Sequence, residues 1–403
     1  MSYSDWGYDD QYASIDSSQL QHRQKEDDAR TARIDLIRNH FNEQPAFVYE
    51  GIVGNGAFGM TFKVREKRFL SRPRRLVVKR SLYDTFSDDL ESEIEIMKKV
   101  NGSAHVARVI ASSRDSRPEL RPGFFGRLIS WFSRRQRNFL VGLPGSTLIL
   151  EYLEHGTLND VIFKIRDRNL EEDAEEDAEE NAEKNAEENG GRPLPNRLLW
   201  RWFLCLARAC VALKFPAGQP VDTIPKLEEI PADQSNPGNI YHGDMHGGNI
   251  LIGSTGDFPE HELVPPLKLI DFGQAGVYDS YDSYDTEGDE RNIYDIGTQI
   301  IHLIKGSTIV GWGNAVHKGI PTLATSILPD NDNDPHPHLD SDLRDLVASC
   351  LAVDPLHRPT VSEILELCKS AVERKTPASY GANWRMETDS EVQRTLQELV
   401  YNV

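Results

Sequence analysis

The sequence predicts an α+β chain in which a small β-rich part precedes a larger α-helical part. Strand-like runs of apolar residues occur between residues 47 and 152, with one amphipathic helix among them. Helical spacing of apolar residues marks residues 197–215 and the chain from residue 292 onward. Because strands come first and helices later, we expect two lobes, and 403 residues are enough to pack both.

The β-rich part follows a helix expected at residues 26–42, and it contains a second helix at residues 88–100. This second helix carries its acids early and its lysines late, as the helix dipole favours. The strands are expected at residues 47–53, 61–65, 76–79, 106–111 and 147–152.

The helical part contains two short strands, expected at residues 250–252 and 267–270. Its helices are expected at residues 197–215, 293–304, 343–351 and 361–372. The chain thus divides into an N-terminal extension at 1–46, a β-rich lobe at 47–153, a helical lobe at 154–376 and a C-terminal tail at 377–403.

Two charged insertions interrupt these lobes. Residues 114–137 hold seven arginines, two acids and several aromatic residues, which is typical of a surface loop with one short helix. The alternative is a docking element for an acidic partner, an anionic membrane surface or the acidic tract of the chain itself. That tract lies in the second insertion, residues 170–190, and it is expected to be a solvated helix or a disordered linker.

Composition narrows the class of protein. The net charge is −19, and residues 171–189, with eleven acids and one lysine, account for −10 of it. This balance argues against nucleic acid as the main partner. No apolar run approaches the roughly 18 residues that span a bilayer, and the acidic N-terminus does not resemble a secretory signal. The four cysteines lie in apolar helical patterns, as expected for buried thiols of an intracellular protein, cytoplasmic or nuclear.

A glycine-rich motif joins the first two expected strands. It reads Gly54-Asn55-Gly56-Ala57-Phe58-Gly59. The same spacing occurs in dinucleotide-binding folds and in ordinary turns, so alone it is a weak signal. Strands on both sides favour a flap whose glycines let the backbone approach phosphates and whose Phe58 shields them from water.

Lys79 ends an apolar strand, and the helix that follows carries three glutamates. A lysine on a strand paired with a glutamate on the neighbouring helix is a fixed charge that can hold phosphate oxygens. Glu93 is preferred over Glu91 and Glu95, because Ile94 and its apolar neighbours then point to the core.

The stretch His242-Gly-Asp-Met-His-Gly-Gly-Asn249 runs directly into an apolar strand. Asp244 is placed to accept the proton of an attacking hydroxyl. Asn249 and Asp271, the latter after the strand at 267–270, offer the hard oxygen ligands that Mg²⁺ prefers.

These motifs, in this order, resemble those of the eukaryotic-type protein kinase superfamily, and the resemblance covers about residues 47–372. It implies the bilobal protein-kinase fold, ATP and Mg²⁺ as cofactors, and transfer of the γ-phosphate to Ser/Thr hydroxyls of a protein substrate. It further implies that Leu150 lines the back of the adenine pocket and that Glu151 and Leu153 bind adenine through their backbones. The apolar and neighbouring side chains around adenine would be Thr61, Val64, Val77 and Leu251.

Several positions depart from the family pattern, three of them in or beside the loop that carries Asp244. Gly243 replaces an arginine, His246 replaces a lysine that contacts the γ-phosphate, and Asn292 replaces an anchoring aspartate. His246 can still touch the γ-phosphate, with a charge that depends on pH. These departures leave two alternatives open: a kinase-fold phosphotransferase for small molecules, and a pseudokinase scaffold with weak catalysis.

Overall fold

A five-stranded antiparallel sheet forms from the N-terminal part of the chain, in the order β1-β2-β3-β5-β4. The strands are β1 Phe47–Asn55, β2 Gly59–Glu66, β3 Arg74–Ser81, β4 Val109–Ser113 and β5 Thr147–Glu151. The computed structural model describes residues 17–55, 59–68, 72–81, 87–113, 140, 143, 145–179, 192–233, 237–278, 288–309, 313–330 and 333–402. The chain is therefore of mixed α+β class, as the sequence predicts.

Strand β2 shows why the sheet has two distinct faces. Its residues alternate between buried and half-buried, so Met60, Phe62 and Val64 point to one side. Helix α1, Ser17–Asn42, covers this side and buries Phe41 completely against the sheet. The helix begins earlier than expected, and it supplies the sheet with part of its core.

The opposite side of the sheet faces helix α2, Ser87–Val100, and the helical part of the chain. Ile94, Ile96 and Met97 of α2 are buried, as expected from the sequence. They join Leu148 of β5 in the larger of two hydrophobic clusters, which continues into the helices that follow. The sheet is thus packed on both faces.

Helix α4, Asn196–Lys214, is the centre of the helical part. It is apolar on nearly all sides, and helices apolar all round are buried. Sixteen of its 19 residues are buried, among them Trp200 and Trp202. The helices of this part are α3 Leu158–Glu179, α4 Asn196–Lys214, α5 Gly288–Lys305, α6 Ser341–Cys350, α7 Val361–Arg374 and α8 Asp389–Leu396. Within the described ranges, no helix has the length and apolar character needed to cross a membrane.

Short antiparallel ladders position two loops beside each other. β7 Ile250–Ile252 pairs with β8 Leu267–Leu269, close to the expected bounds. β6 Ile240–Tyr241 pairs with β9 Gly276–Val277, which the sequence does not indicate. The loop that joins β6 to β7 and the loop that joins β8 to β9 therefore lie side by side.

A buried hydrogen-bonded network joins the sheet region to the helical part. His105, in the connection between α2 and β4, places Nδ1 2.7 Å from Oε2 of Glu228 and Nε2 3.0 Å from Nε2 of His261. Burial alone would lower the pKa of His105, but the Glu228 carboxylate raises it to about 10. The imidazolium donates from both nitrogens, so His261 accepts as a neutral ring. Cys205 of α4 lies against the same pair.

The network predicts a pH-dependent loss of stability in the Glu228→Gln variant. A buried imidazolium left without its carboxylate costs about 3–5 kcal/mol of unfolding free energy. Because the pKa of His105 is raised from 6.5 to about 10 on folding, its stabilisation is complete below pH 6.5 and is lost as pH rises toward 10. The parent–variant difference in urea unfolding should therefore be largest at pH 6 and smaller at pH 9.5. Glu229→Gln, an exposed neighbour, is the matched control, and an equal difference at both pH values would contradict the assignment.

Candidate functional site

A cleft of about 770 Å³ lies between the sheet and the helical part. Its walls come from β1, β2, β3, β5, β7 and the loop after β8. The residues that the sequence assigns to a ligand site and that line this cleft are Gly54, Thr61, Val77, Lys79, Glu93, Leu150, Glu151, Leu153, Leu251 and Asp271. Residues far apart in the chain thus meet around one cavity.

A cluster of one ammonium and two carboxylates forms the polar end of the cleft. Nζ of Lys79 lies 2.9 Å from Oε1 and 2.8 Å from Oε2 of Glu93, and 2.7 Å from Oδ1 of Asp271. Burial opposes the charge of Lys79, but the two carboxylates raise its pKa above the ordinary value. The ammonium is therefore a fixed positive charge at all physiological pH values.

Alternation in the sheet and packing of the helix explain this meeting. Lys79 lies on the same side of β3 as Val77, facing the cleft, while Val78 faces the other core. Glu93 is buried on α2 beside it. The competing glutamates are engaged elsewhere: Glu91 accepts a hydrogen bond from Ser146 at 2.8 Å, and Glu95 is exposed, 3.7 Å from Lys98.

Asp271 adopts a strained backbone conformation at the edge of the cluster. Its φ of +59° is left-handed, which costs a non-glycine residue about 1–2 kcal/mol, and such strain concentrates at functional sites. Burial would raise the pKa of Asp271, but the Lys79 ammonium lowers it below the ordinary value. Oδ1 accepts hydrogen bonds from Lys79 and from the Gly273 N–H. No hydrogen bond among the described residues involves Oδ2.

His242 connects the loop after β6 to the loop after β8. It is fully buried, and burial lowers its pKa to about 4, so the ring is neutral. Nε2 donates to the carbonyl of Ile270 at 3.0 Å, and Nδ1 accepts from the N–H of Asp244 at 3.3 Å. Asn292 of α5 accepts from the N–H of His242 at 3.1 Å and donates to the carbonyl of Ile240 at 2.8 Å. The neutral amide therefore still anchors this loop.

Asp244 and Asn249 form a hydrogen-bonded pair within the same loop. Nδ2 of Asn249 donates to the backbone carbonyl of Asp244 at 3.0 Å and to its Oδ2 at 3.2 Å. The Asp244 side chain remains about half exposed, at 49%. Because the planar amide turns its nitrogen to Asp244, the oxygen of Asn249 points away from that carboxylate.

His246 stands beside this pair. Its Nδ1 accepts from the N–H of Gly248 at 3.0 Å, which fixes the ring at the start of the turn Gly247–Asn249. Its Nε2 lies 3.6 Å from Oδ2 of Asp244. The imidazole is therefore held next to the exposed carboxylate.

Gly243 has a structural reason to be glycine. Its φ is +81°, and a Cβ at this position would lie 2.2 Å from the carbonyl oxygen of Gln274. No side chain fits there unless the backbone moves. Arg291 of α5 donates to the Gly243 carbonyl at 3.0 Å, so a guanidinium reaches this loop from a different element.

The structure contradicts one expected contact, that of Val64, and narrows another, that of Glu151, to one backbone group. Val64 does not line the cleft, since it faces the side of β2 opposite to Thr61 and is buried against the outer core. The side chain of Glu151 accepts from Nζ of Lys268 at 2.7 Å, and its N–H donates to the carbonyl of Arg108 at 3.1 Å. Only its carbonyl then remains as the backbone group for a ligand.

Several sequence-based predictions concern residues outside the part of the chain that the structure describes. These are Gly56, Ala57 and Phe58 of the glycine-rich motif, the insertion at 114–137, and residues 180–190 of the second insertion. Asn55 ends β1, and Gly59 begins β2, where a Cβ would lie 2.7 Å from the carbonyl oxygen of Arg80.

Sequence reasoning missed thirteen residues of the cleft wall, and five of them show which signals were available. Val53 and Ile270 adjoin assigned motifs, and their apolar character was an available signal. Ala107 enters because the chain before β4 pairs with the end of β8, through its N–H to the carbonyl of Leu269 at 3.0 Å. The last two, Leu399 and Val400, come from the end of the chain, and nothing in their local pattern points to a ligand.

The arrangement suits a phosphorylated ligand together with a divalent cation. The Lys79 ammonium contacts two carboxylates, those of Glu93 and Asp271, and the loop after β6 adds a third carboxylate, that of Asp244. Asp271 and Asn249 offer carboxylate and amide oxygens of the kind that Mg²⁺ prefers. Apolar side chains form much of the remaining wall, together with polar ones such as His155, Asp160 and Lys164. A search against known protein families finds no match, and a search of curated proteins finds none either.

Proposed function

We propose that this chain is an ATP- and Mg²⁺-dependent phosphotransferase of bilobal protein-kinase fold that transfers the γ-phosphate to Ser/Thr hydroxyls of proteins. The observation that carries the proposal is the meeting of Lys79, Glu93 and Asp271 at 2.7–2.9 Å at one end of an apolar cleft. Phosphoryl transfer asks mainly for positioning and for charge, and this cluster supplies both.

The phosphate donor, ATP, occupies the whole length of the cleft. Lys79, held in place by Glu93, binds the phosphate oxygens nearest to the nucleoside. Thr61 and Val77 on one wall and Leu251 on the other contact the flat base, with Leu150 behind it. The Glu151 carbonyl and the Leu153 N–H give the base its polar contacts.

Asn249 and Asp271 are the residues that hold Mg²⁺. Their oxygens come from the ends of two paired strands, and the N–H of Ile270 donates to the carbonyl of Asn249 at 3.0 Å, which keeps the two loops together. When bound, Mg²⁺ neutralises the charge of the phosphate oxygens. The strained conformation of Asp271 orients its carboxylate before any ligand arrives.

Asp244 is the group on the acceptor side. Its exposed carboxylate accepts a hydrogen bond from the hydroxyl of the protein substrate and takes up the proton during transfer. The Asn249 amide and the neutral His242 ring fix the loop that carries it. His246 lies beside the same carboxylate and is placed to contact the transferred phosphoryl group.

The conformation of Gly243 favours a second candidate, a phosphotransferase for small molecules. The sequence His-Gly-Asp with a histidine two residues later also resembles the loop of aminoglycoside phosphotransferases. Since a Cβ at Gly243 would meet Gln274, this loop is built around glycine. A pseudokinase scaffold, the remaining alternative, is disfavoured because Lys79, Asp244, Asn249 and Asp271 are all present.

Incubation with γ-labelled ATP distinguishes these functions. We expect label on Ser and Thr of a mixed protein substrate in the presence of Mg²⁺ and none in the presence of excess EDTA. Label on small hydroxylated acceptors and not on protein would favour the second candidate. Mg²⁺-dependent nucleotide binding without any transfer would favour the scaffold, and absence of both would contradict the proposal.

A further inference from the structure

The C-terminal segment, residues 389–402, reaches the same cleft as Lys79 and Asp271. It consists of α8 and a wider turn at Gln397–Tyr401. Leu399 and Val400 of this turn line the cleft and are only 2% and 1% exposed. The segment therefore packs into the body of the protein, and its end forms part of a ligand cavity.

The residues next to Leu399 and Val400 contact the part of the cleft wall that follows β5. Here the wall continues from β5 through Leu153 and His155. The ring of Tyr401 packs edge-on against His155, with centroids 5.0 Å apart. Next to them, Nζ of Lys164 donates to the backbone carbonyl of Asn402 at 2.9 Å. The end of the chain thus contacts His155, which follows two residues after Leu153, the residue that the proposed function assigns to the base.

Charged contacts hold the segment along its length. Arg168 of α3 lies 3.3 Å from Glu398, and Arg197 of α4 lies 2.7 Å from Asp389. Arg192 contacts Glu391. These three arginines belong to the helical part, and their three partners all belong to the segment. The C-terminal segment is therefore held by apolar residues that face inward and by acids that face these three arginines.

We propose that residues 389–402 form part of the nucleotide site, with Leu399 and Val400 closing its base-binding end. This inference rests on the proposed function, since it takes the adenine base as the occupant of that end. Aliphatic side chains on a flat base exclude water from one of its edges, which strengthens binding without adding a hydrogen bond. The segment then sets nucleotide affinity through its contact with α3 and α4.

The test measures the dissociation constant of Mg²⁺–ADP by calorimetry for a set of variants. Leu399→Ala should weaken binding about tenfold, because it removes buried hydrocarbon that touches the base. Leu365→Ala is the matched control, since Leu365 is a buried leucine of α7 outside the cleft. It should lower the melting temperature of the nucleotide-free protein comparably and leave the dissociation constant within about twofold.

A charge exchange tests docking without opening the core. Glu398→Arg should weaken Mg²⁺–ADP binding, and the added change Arg168→Glu should restore it, because the pair is then re-formed in reverse. The inference is overturned if the parent binds Mg²⁺–ADP and both Leu399→Ala and Glu398→Arg bind it equally well. Failure of the parent itself to bind Mg²⁺–ADP would instead remove the proposed function, and this inference with it.

Discussion

Replacing Asp244 by Asn should lower the rate of phosphoryl transfer by about 10²–10⁴-fold, the range expected for loss of a positioned general base. The amide cannot accept the proton of the substrate hydroxyl at neutral pH. It keeps the shape of the carboxylate, and Asn249 can still donate to the Asp244 backbone carbonyl at this position. The affinity for Mg²⁺–ATP should therefore remain within about twofold, because no phosphate contact is lost.

The measurement is single-turnover transfer from labelled ATP, with nucleotide binding followed separately by calorimetry. Asp257→Asn is the matched control, since Asp257 is an exposed aspartate of the loop between β7 and β8. It should change neither quantity. Equal transfer rates for parent and Asp244→Asn would contradict the role of Asp244, and loss of nucleotide binding together with the rate would show that this residue acts on the donor side.

The sequence predicts most of the sheet and half of the site, for physical reasons that particular residues illustrate. Alternation in β2 and β3 places Thr61, Val77 and Lys79 on one side, because successive side chains of a strand point to opposite faces. In the same way, the apolar pattern around Glu93 turns this glutamate toward the sheet. The alternation of side chains along a strand and the apolar spacing along a helix depend on neighbouring residues, so they can be read from the sequence.

The remaining features depend on contacts between distant parts of the chain. β6 and β9 have two residues each, too few for any pattern, yet their pairing brings two functional loops together. The need for glycine at position 243 comes from the carbonyl of Gln274, which only the folded chain places beside it. Val64 shows the converse, since the period of two in β2 excludes it from the cleft even though the resemblance assigns it there.

The end of the chain is the clearest example of a feature that the sequence does not predict. The sequence analysis predicts only a C-terminal tail at 377–403, whereas residues 389–396 form α8. Burial of Leu399 and Val400 against the cleft follows from the arginines of α3 and α4 that hold the segment. Charge complementarity between distant helices has no signature in either stretch of sequence.

Lys79→Met should reduce kcat by about 10²-fold or more, by analogy with other lost electrostatic donors. The variant should also lose stability in a pH-dependent manner. Without the ammonium, Glu93 is a buried carboxylate beside Asp271, and burial and the Asp271 charge both raise its pKa. A carboxyl group with a raised pKa in the folded state takes up a proton on folding, so the variant should lose stability as pH rises above about 4.5.

Urea unfolding of parent and variant at pH 5 and pH 8 checks the second effect, and labelled-ATP turnover checks the first. Lys98→Met is the matched control, because Lys98 is a partly exposed lysine of the same helix as Glu93, 3.7 Å from Glu95. It should leave turnover unchanged, and it should change the free energy of unfolding by no more than about 0.5 kcal/mol. A parent–variant difference that is the same at pH 5 and pH 8 would mean that Glu93 does not depend on Lys79 for its charge. The Lys79 ammonium would then not be the fixed charge on which the proposed function depends.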